Sequence, residues 1–254
     1  MIKLVELDQH FGDKVVLERL NTEFPTGETT VVLGRSGTGK SVMLKIILRL
    51  LPIEAGRIYI DDIDTTEFSE REMMPIRKKM GMLFQGSALF DSMNVFENVA
   101  YTLREHTNLS ESEIKERVKE KLSFVEMSNT EELLPSELSG GMQKRIALAR
   151  ALANNPDYIF FDEPTTGLDP ITAQTINELI KRVGDYTGST VIVVTHDLES
   201  AAYVAQKVIL LDKGKVHFEG NYEDFQQSDE EFVRLFRSGG KAGKSYEGEY
   251  QERN

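Results

Sequence analysis

The spacing of apolar residues divides the first sixty positions into short strands around one helix. Runs rich in β-branched residues predict the strands. Apolar residues three and four apart, from Ser41 to Leu51, predict a helix that Pro52 ends. The predicted strands in this part of the chain span residues 2–7, 15–17, 29–33 and 57–60.

Residues 91–155 have a mostly helical pattern, and strands alternate with helices after them. Ser110 and Glu113 predict a capping box for a helix that runs towards Glu126, and Ser139 begins another helix. The later alternation is typical of a parallel α/β sheet with crossover helices. The alternating elements are predicted at 158–161, 190–194 and 208–211 for strands, and at 171–183 and 199–205 for helices.

Length and composition predict one large domain with a short tail. The chain has 254 residues, of which 40% are hydrophobic, and this suits one domain with a subdomain at about 91–155. The domain is predicted over 1–237. Residues 238–254 are rich in Gly, Lys and Glu, which predicts a flexible tail. An alternative hypothesis is that Tyr246 and Tyr250 dock on a sister subunit and strengthen a dimer.

The charge and the composition exclude several classes of protein. With 30 Lys and Arg against 42 Asp and Glu, the formal net charge is −12, so nucleic acid is not expected as a partner. The absence of cysteine excludes disulfides and cysteine chemistry. No apolar run approaches the roughly 18 residues of a membrane span, and no signal peptide is predicted at the N-terminus. Any membrane role is therefore expected to depend on a partner.

A glycine-rich loop follows the predicted strand 29–33 and opens the helix at Ser41. Such a loop turns backbone N–H groups towards phosphate oxygens, and the helix N-terminus adds partial positive charge. In this pattern Lys40 is expected to reach the β- and γ-phosphates of ATP, and the Ser41 hydroxyl to bind Mg²⁺. The predicted phosphate-binding residues are Gly34, Arg35, Ser36, Gly37, Thr38, Gly39, Lys40 and Ser41.

An acidic pair, Asp162 and Glu163, ends the predicted apolar strand 158–161. Carboxylates at a buried strand end are costly unless they meet a cation, although a solvated strand end is the simpler alternative. We expect Asp162 to hold Mg²⁺ and Glu163 to polarise the attacking water.

In their order along the chain these motifs resemble the ATP-binding-cassette (ABC) ATPases, over about residues 1–225. The resemblance implies a P-loop ABC-type α/β fold with a parallel sheet core, an N-terminal antiparallel β subdomain and a helical subdomain. The motifs that carry it are the phosphate loop, Gln85, Leu138-Ser139-Gly140-Gly141-Met142, Asp162-Glu163, Gly167-Leu168-Asp169 and His196.

The resemblance also implies roles for single residues. Gln85 would contact Mg²⁺ and the attacking water, and His196 would contact the γ-phosphate. Phe11 would stack on adenine, and Asp169 would cross a dimer interface. Lys40, Gln85, Glu163 and His196 form the catalytic set, and Ser41, Gln85 and Asp162 form the metal set.

The signature Ser139-Gly140-Gly141 would complete the ATP site of a second copy in a head-to-tail homodimer. The fifth signature residue of the wider family is usually Gln, and this chain has Met142. Backbone and serine contacts remain available, so activity is expected.

The sequence of residues 86–107 resembles that of the ATPase subunit of Mla-type (MCE-associated) phospholipid transporters. In that subfamily Met is the usual residue at the position of Met142. Residues 135–142 and 169–172 agree. This resemblance implies a homodimer on the cytoplasmic face of the inner membrane, with an MlaE-like permease dimer, an MlaD-like lipid-binding MCE protein and phospholipid as cargo. Leu89, Phe90 and Met93 would face the permease, whereas Val95, Phe96 and Val99 are expected in the core.

Two other interpretations remain open from the sequence. An ABC importer ATPase for amino acids or other small solutes would share every catalytic motif. A soluble ABC protein that acts on ribosomes or in DNA repair usually has two cassettes or a long coiled-coil insertion, and this acidic chain has neither.

Overall fold

The computed structural model describes residues 1–239. Tyr246 and Tyr250, on which the tail hypothesis rests, lie outside the described residues. The strands are β1 (Ile2–Phe11), β2 (Lys14–Phe24), β3 (Thr29–Leu33), β4 (Ala55–Ile60), β5 (Ile63–Asp64), β6 (Met80–Leu83), β7 (Tyr158–Asp162), β8 (Thr190–Thr195), β9 (Lys207–Asp212) and β10 (Lys215–Asn221). The α-helices are α1 (Lys40–Ile47), α2 (Glu70–Arg77), α3 (Val95–His106), α4 (Glu111–Phe124), α5 (Gly140–Leu152), α6 (Pro170–Thr187), α7 (Leu198–Val204), α8 (Tyr222–Gln227) and α9 (Glu231–Arg237), and a 3-10 turn spans Pro135–Glu137.

The strands form two sheets, as the predicted fold class requires. Four strands make an antiparallel N-terminal sheet in the order β2-β1-β4-β5. Six strands make the main sheet in the order β10-β9-β3-β8-β7-β6, parallel from β9 to β6 with β10 antiparallel at the edge. The predicted α/β fold with a parallel core and an antiparallel N-terminal sheet is confirmed.

The main sheet has an apolar cluster on each face, because successive side chains of a strand point to opposite sides. On β7, Ile159 and Phe161 join the larger cluster, while Tyr158 and Phe160 join the smaller one. Helices α3 to α6 contribute to the larger cluster, and α1 and the N-terminal sheet contribute to the smaller one. Both layers fix the strands, so the loops at the carboxyl edge start from a rigid base.

The parallel register brings three predicted motifs to one edge of the main sheet. Leu33 of β3 pairs with Thr195 of β8, and Asp162 of β7 pairs with Val194. Carboxyl ends of parallel strands are the usual ligand-binding edge of an open α/β sheet. The phosphate loop, Glu163 and His196 directly follow these strand ends and therefore meet there.

Several elements differ from the predicted ones. The helix predicted to Leu51 ends at Ile47, because Arg49 takes a left-handed backbone conformation with φ 57°. The N–H groups of Leu50 and Leu51 both turn back to the Lys45 carbonyl. Helices α2 and α8 and strands β6 and β10 have no predicted counterpart.

Candidate nucleotide-binding site

Gly39 shapes the phosphate loop where it enters α1. Its φ is 101°, in the left-handed region that favours glycine. A Cβ atom there would lie 2.7 Å from the Val16 carbonyl oxygen and 2.8 Å from Leu17 Cδ2. The loop therefore packs against β2 so closely that a side chain at this position would displace it.

Lys40 is buried inside the loop, with 5% of its side chain exposed. Its Nζ donates hydrogen bonds to the carbonyl oxygens of Gly34 at 2.8 Å and Arg35 at 3.0 Å, and lies 3.6 Å from Glu163 Oε1. Burial lowers the pKa of Lys40, and the carboxylate of Glu163 opposes that shift. The ammonium group is thus held at the centre of the loop by oxygens on two sides of the site.

Ser41 and Asp162 meet directly across the site. The Ser41 hydroxyl donates to Asp162 Oδ1 at 2.6 Å. Mg²⁺ is usually held by one or two such oxygens together with substrate phosphates and water. Among residues 1–239 there is no cluster of three or more His, Cys, Asp and Glu that suits a metal. The Ser41 hydroxyl and the Asp162 carboxylate are oxygen donors of the kind that fit a Mg²⁺ ion bound together with a nucleotide.

Glu163 lies at the centre of a hydrogen-bond network. Its Oε2 lies 2.9 Å from His196 Nδ1 and accepts hydrogen bonds from the hydroxyls of Thr166 at 3.1 Å and Thr195 at 3.4 Å. Its φ of 48° is left-handed, which is uncommon for a residue with a side chain. Backbone strain of this kind clusters at functional sites, where surrounding contacts maintain it.

Most of the residues predicted to bind or hydrolyse ATP line one cavity of about 800 Å³. Its size is within the range of small-molecule sites. The predicted residues that line it are Phe11, Arg35, Ser36, Gly37, Gly39, Lys40, Ser41, Gln85, Glu163 and His196. Seven further residues line the cavity that were not predicted from the sequence: Lys14, Val16, Val42, Thr166, Leu198, Phe236 and Gly239.

Three predicted residues lie near this cavity without being part of its wall. Asp162 reaches it through the bond to Ser41. Thr38 donates its hydroxyl proton to the Arg35 carbonyl at 2.9 Å. A Cβ atom on Gly34 would lie 2.4 Å from the Leu211 carbonyl oxygen, so this glycine allows the loop to pass over β9. Gly34 and Thr38 thus belong to the loop itself, and Asp162 contacts the loop through Ser41.

The signature residues Ser139, Gly140 and Gly141 are not part of the cavity wall. Ser139 is exposed and caps α5 by accepting the N–H of Met142 at 3.3 Å. A Cβ atom on Gly141 would lie 2.3 Å from Thr172 Cγ2, so this glycine allows α5 and α6 to approach closely. The structure therefore presents the start of α5 on the surface rather than to the nucleotide cavity of its own chain.

Asp169 is exposed and caps α6. Its Oδ1 accepts the N–H groups of Ile171 and Thr172, each at 3.1 Å, and its Oδ2 accepts the Thr172 hydroxyl at 2.6 Å. These bonds lower the pKa of Asp169, with the Thr172 hydroxyl as the largest cause. Like Ser139 and Gly140, Asp169 lies on the surface of the single chain and outside the wall of the nucleotide cavity.

Two cations of α5 were not predicted from the sequence: Lys144, which is buried, and Arg150, which is half-buried. Lys144 donates to the backbone of Gln85 and Glu163, and Arg150 donates to the backbone of Ser87 and Ala88. The signal that could have identified them is their place beside the apolar run 146–149, since charged residues next to a buried helical run need polar partners.

Comparison with known families gives one match that decides the classification. Residues 17–166 match the family described as "ABC transporter", which is more than half of the chain. The match includes the phosphate loop, α5 and Glu163. The chain belongs to the ABC transporter family. As an ABC cassette it binds ATP and hydrolyses it to ADP and phosphate.

Similar proteins share this classification over nearly the whole chain. "Intermembrane phospholipid transport system ATP-binding protein MlaF" of Haemophilus influenzae is 43% identical over 96% of this chain and 92% of its own length. "Probable ribonucleotide transport ATP-binding protein mkl" of Mycobacterium leprae is 42% identical over 95% of this chain and 70% of its own length. In a dimeric, ADP- and Pi-bound structure, the cassette MJ0796 superimposes with a TM-score of 0.80 at 36% identity, covering 87% of this chain and 98% of MJ0796.

Within residues 1–239, none of the helices of this ABC cassette has the length and apolar character of a membrane span.

Replacing Gly39 by Ala is expected to weaken ATP binding about tenfold or more. The loop would leave its left-handed conformation and the contact with β2, a strain of about 1–3 kcal/mol that binding would have to restore. The measurement is the ATP dissociation constant by calorimetry. Gly188→Ala is the control, since it also has a positive φ, of 67°, but no atom within 4 Å of the added Cβ. Equal affinities in the two variants would contradict the assigned role of Gly39.

Proposed function

We propose that this chain is the ATP-hydrolysing subunit of an inner-membrane ABC transporter that moves phospholipids or related lipids. The observation that carries the proposal is the similarity to MlaF, which extends over 96% of this chain and 92% of MlaF. The similarity to mkl is equally strong in identity but covers 70% of that longer protein. The name of mkl keeps a polar solute such as a ribonucleotide as the second candidate cargo, in line with a small-solute importer.

Glu163 is the proposed general base for hydrolysis. It lies at the end of β7, with its carboxylate held by His196, Thr166 and Lys40. A carboxylate at this position can accept a proton from the attacking water. Lys40 would stabilise the charge that develops on the phosphate oxygens, and His196 would orient Glu163 or contact the γ-phosphate.

Gln85 and Phe11 complete the proposed ATP site from two other loops. Both are exposed and line the cavity, Gln85 after β6 and Phe11 at the end of β1. Phe11 is the proposed platform for adenine. Ser41, Asp162 and Gln85 are the proposed Mg²⁺ ligands. When bound, Mg²⁺ would supply positive charge for the transferred phosphoryl group.

A head-to-tail homodimer is the proposed working state. At the start of α5, Ser139 and Gly140 are exposed and Gly141 is buried, and Asp169 is exposed at the start of α6. None of these residues lines the nucleotide cavity of its own chain. A twofold partner would bring a nucleotide to the helix N-terminus, where N–H groups favour phosphate. The dimeric MJ0796 structure supports this arrangement.

An apolar surface after Gln85 is the proposed contact with an MlaE-like permease dimer. Phe90 and Tyr101 are both 41% exposed, and their ring centroids are 5.1 Å apart. Leu89 and Met93 beside them are half-buried, whereas Val95 and Val99 are fully buried. An exposed aromatic pair beside buried neighbours is a suitable anchor for a partner segment.

The proposal also covers the domain boundaries of the chain and its place at the membrane. Residues 1–237 form the proposed ABC domain, with α3 to α5 in a helical subdomain at about 91–155. The subunit would lie peripherally on the cytoplasmic face of the inner membrane. An MlaD-like MCE protein would hold lipid on the other side of the permease.

Replacing Glu163 by Gln is expected to leave ATP binding intact and to lower turnover by about 100-fold or more, because the amide cannot accept the proton. Steady-state phosphate release measures turnover, and size-exclusion chromatography with and without ATP measures dimer formation. The variant should form an ATP-dependent dimer. Full turnover in this variant would exclude Glu163 as the general base.

The cargo is tested by affinity purification of the full chain from detergent-solubilised membranes, with mass spectrometry of bound proteins and lipids. We expect a polytopic permease, an MCE protein and phospholipid. A permease with a solute-binding protein would instead favour the small-solute alternative, and ribosomal or DNA-repair proteins would exclude a transporter.

The permease contact is tested by Phe90→Asp in the same purification. The variant should lose the permease, since a charge on the aromatic surface must be desolvated in the interface, while its ATP affinity stays unchanged. Ile63→Asp is the control, because Ile63 is 52% exposed on the N-terminal sheet. Equal recovery of the permease by both variants would contradict the proposed surface.

A further inference from the structure

We infer that Lys144 and Arg150 of α5 are positioning residues that clamp residues 85–90 and Glu163 into the conformation used for ATP hydrolysis. Neither cation lines the nucleotide cavity. Both act on backbone carbonyl groups of the segments that carry Gln85 and Glu163. The inference rests on the ATPase activity of the family and not on the identity of the cargo.

Lys144 links two segments of the site through one ammonium group. Its Nζ donates to the Gln85 carbonyl oxygen at 3.0 Å and lies 3.4 Å from the Glu163 carbonyl oxygen. The residue is 4% exposed, so its charge has lost most of its contact with water. A buried ammonium group requires such oxygens, which gives the contact a strong geometric preference.

Arg150 holds the next part of the same segment. Its guanidinium donates to the Ala88 carbonyl oxygen at 2.8 Å and to the Ser87 carbonyl oxygen at 3.0 Å. Its central carbon also lies 5.7 Å from the centroid of the Phe90 ring, within the range of a cation–π contact. One side chain therefore fixes both the turn and the aromatic residue that follows it.

The clamped segment needs these contacts because its backbone is strained. Ser87 has φ 62° and Ala88 has φ 50°, and Glu163 has φ 48°. Left-handed conformations are unfavourable for residues with a Cβ atom and persist where surrounding groups hold them. The carbonyl oxygen of each strained residue accepts a hydrogen bond, from Lys144 at Glu163 and from Arg150 at Ser87 and Ala88.

The carbonyl groups of this segment can be followed almost one by one. Phe84 accepts the N–H of Ser87, and Gly86 accepts the N–H of Ala88. Phe90 accepts from Asn98 Nδ2 at 3.1 Å. The carbonyl oxygens of Gln85, Ser87 and Ala88 accept their hydrogen bonds from the two cations of α5. Lys144 donates to Gln85, and Arg150 donates to Ser87 and Ala88.

The position of the cations on α5 gives the clamp a functional consequence. The same helix begins at the signature, so a shift of α5 would move the Gln85 and Glu163 carbonyls with it. Helices transmit such shifts because their backbone is rigid. The clamp therefore makes the geometry of the hydrolytic residues depend on the position of the signature helix.

Lys144→Met tests the first half of the clamp, because Met matches the lysine side chain as far as Cε and lacks only the charged ammonium group. We expect kcat to fall about 10- to 100-fold, the size of effect that a misplaced catalytic group produces. The KM for ATP should change less than about threefold, because Lys144 does not touch the cavity. Lys144→Arg should restore most of kcat, and Lys119→Met on the exposed face of α4 is the matched control.

Hydrogen exchange of the full chain without nucleotide provides a readout that does not depend on turnover. The amides of Ser87 and Ala88 should exchange faster in Lys144→Met and in Arg150→Met than in the wild type or in Lys119→Met. Amides of β3 and β8 should be unchanged in all of them. This measurement holds even for a cassette that is inactive without its partners.

A double variant tests whether the two cations act on one segment. Residues that share a partner give non-additive effects, so Lys144→Met with Arg150→Met should lower kcat less than the product of the single effects. Fully multiplicative effects would overturn the shared clamp. Unchanged exchange and kcat in Lys144→Met would overturn the inference. So would a loss of ATP binding and thermal stability that Lys144→Arg does not restore, since this would indicate a purely structural role.

Discussion

Two buried ammonium groups organise the carboxyl edge of the main sheet. Lys40 and Lys144 are each about 95% removed from water, and each is bound by backbone carbonyl oxygens. A buried charge without a hydrogen-bond partner would be strongly unfavourable. Each loop whose carbonyl oxygen accepts a hydrogen bond from either lysine is therefore held in place. Burial lowers the pKa of both lysines, and in both cases Glu163 opposes the shift. The two cations thus meet at one residue, Glu163, from its carboxylate and from its carbonyl group.

The parallel sheet explains why these loops are neighbours at all. Strands β3, β7 and β8 end side by side, and their register is fixed by apolar side chains on both faces. The loops that follow are short, so their first residues cannot move far from the strand ends. The packing of the core therefore determines where the loops of the site begin, and polar contacts determine the positions of the side chains within it.

The sequence predicted the motif-bearing elements well because their signals are local. The strand before the phosphate loop, the capping box of α4 and the start of α5 at Ser139 all follow from residues within one turn of each other. Helix α2 was missed although Ser69 and Glu72 form a capping box, since Pro75 inside it argues against a helix. Strand β10 was missed because it is an edge strand with no fully buried residue. Lys144 and Phe236 were missed for another reason: their roles depend on contacts with segments that are distant along the chain.

Residues 85–90 connect the nucleotide cavity to the exposed apolar surface around Phe90. Gln85 lines the nucleotide cavity, whereas Phe90 lies in the apolar surface proposed to meet a permease. Between them, Ser87 and Ala88 keep their strained conformation, with carbonyl oxygens bound by Arg150. A segment held in this way transmits displacement rather than absorbing it, since relaxation would break the bonds to the half-buried guanidinium of Arg150. A displacement of the surface around Phe90 would therefore reach Gln85 and the nucleotide cavity through the segment that Lys144 and Arg150 hold.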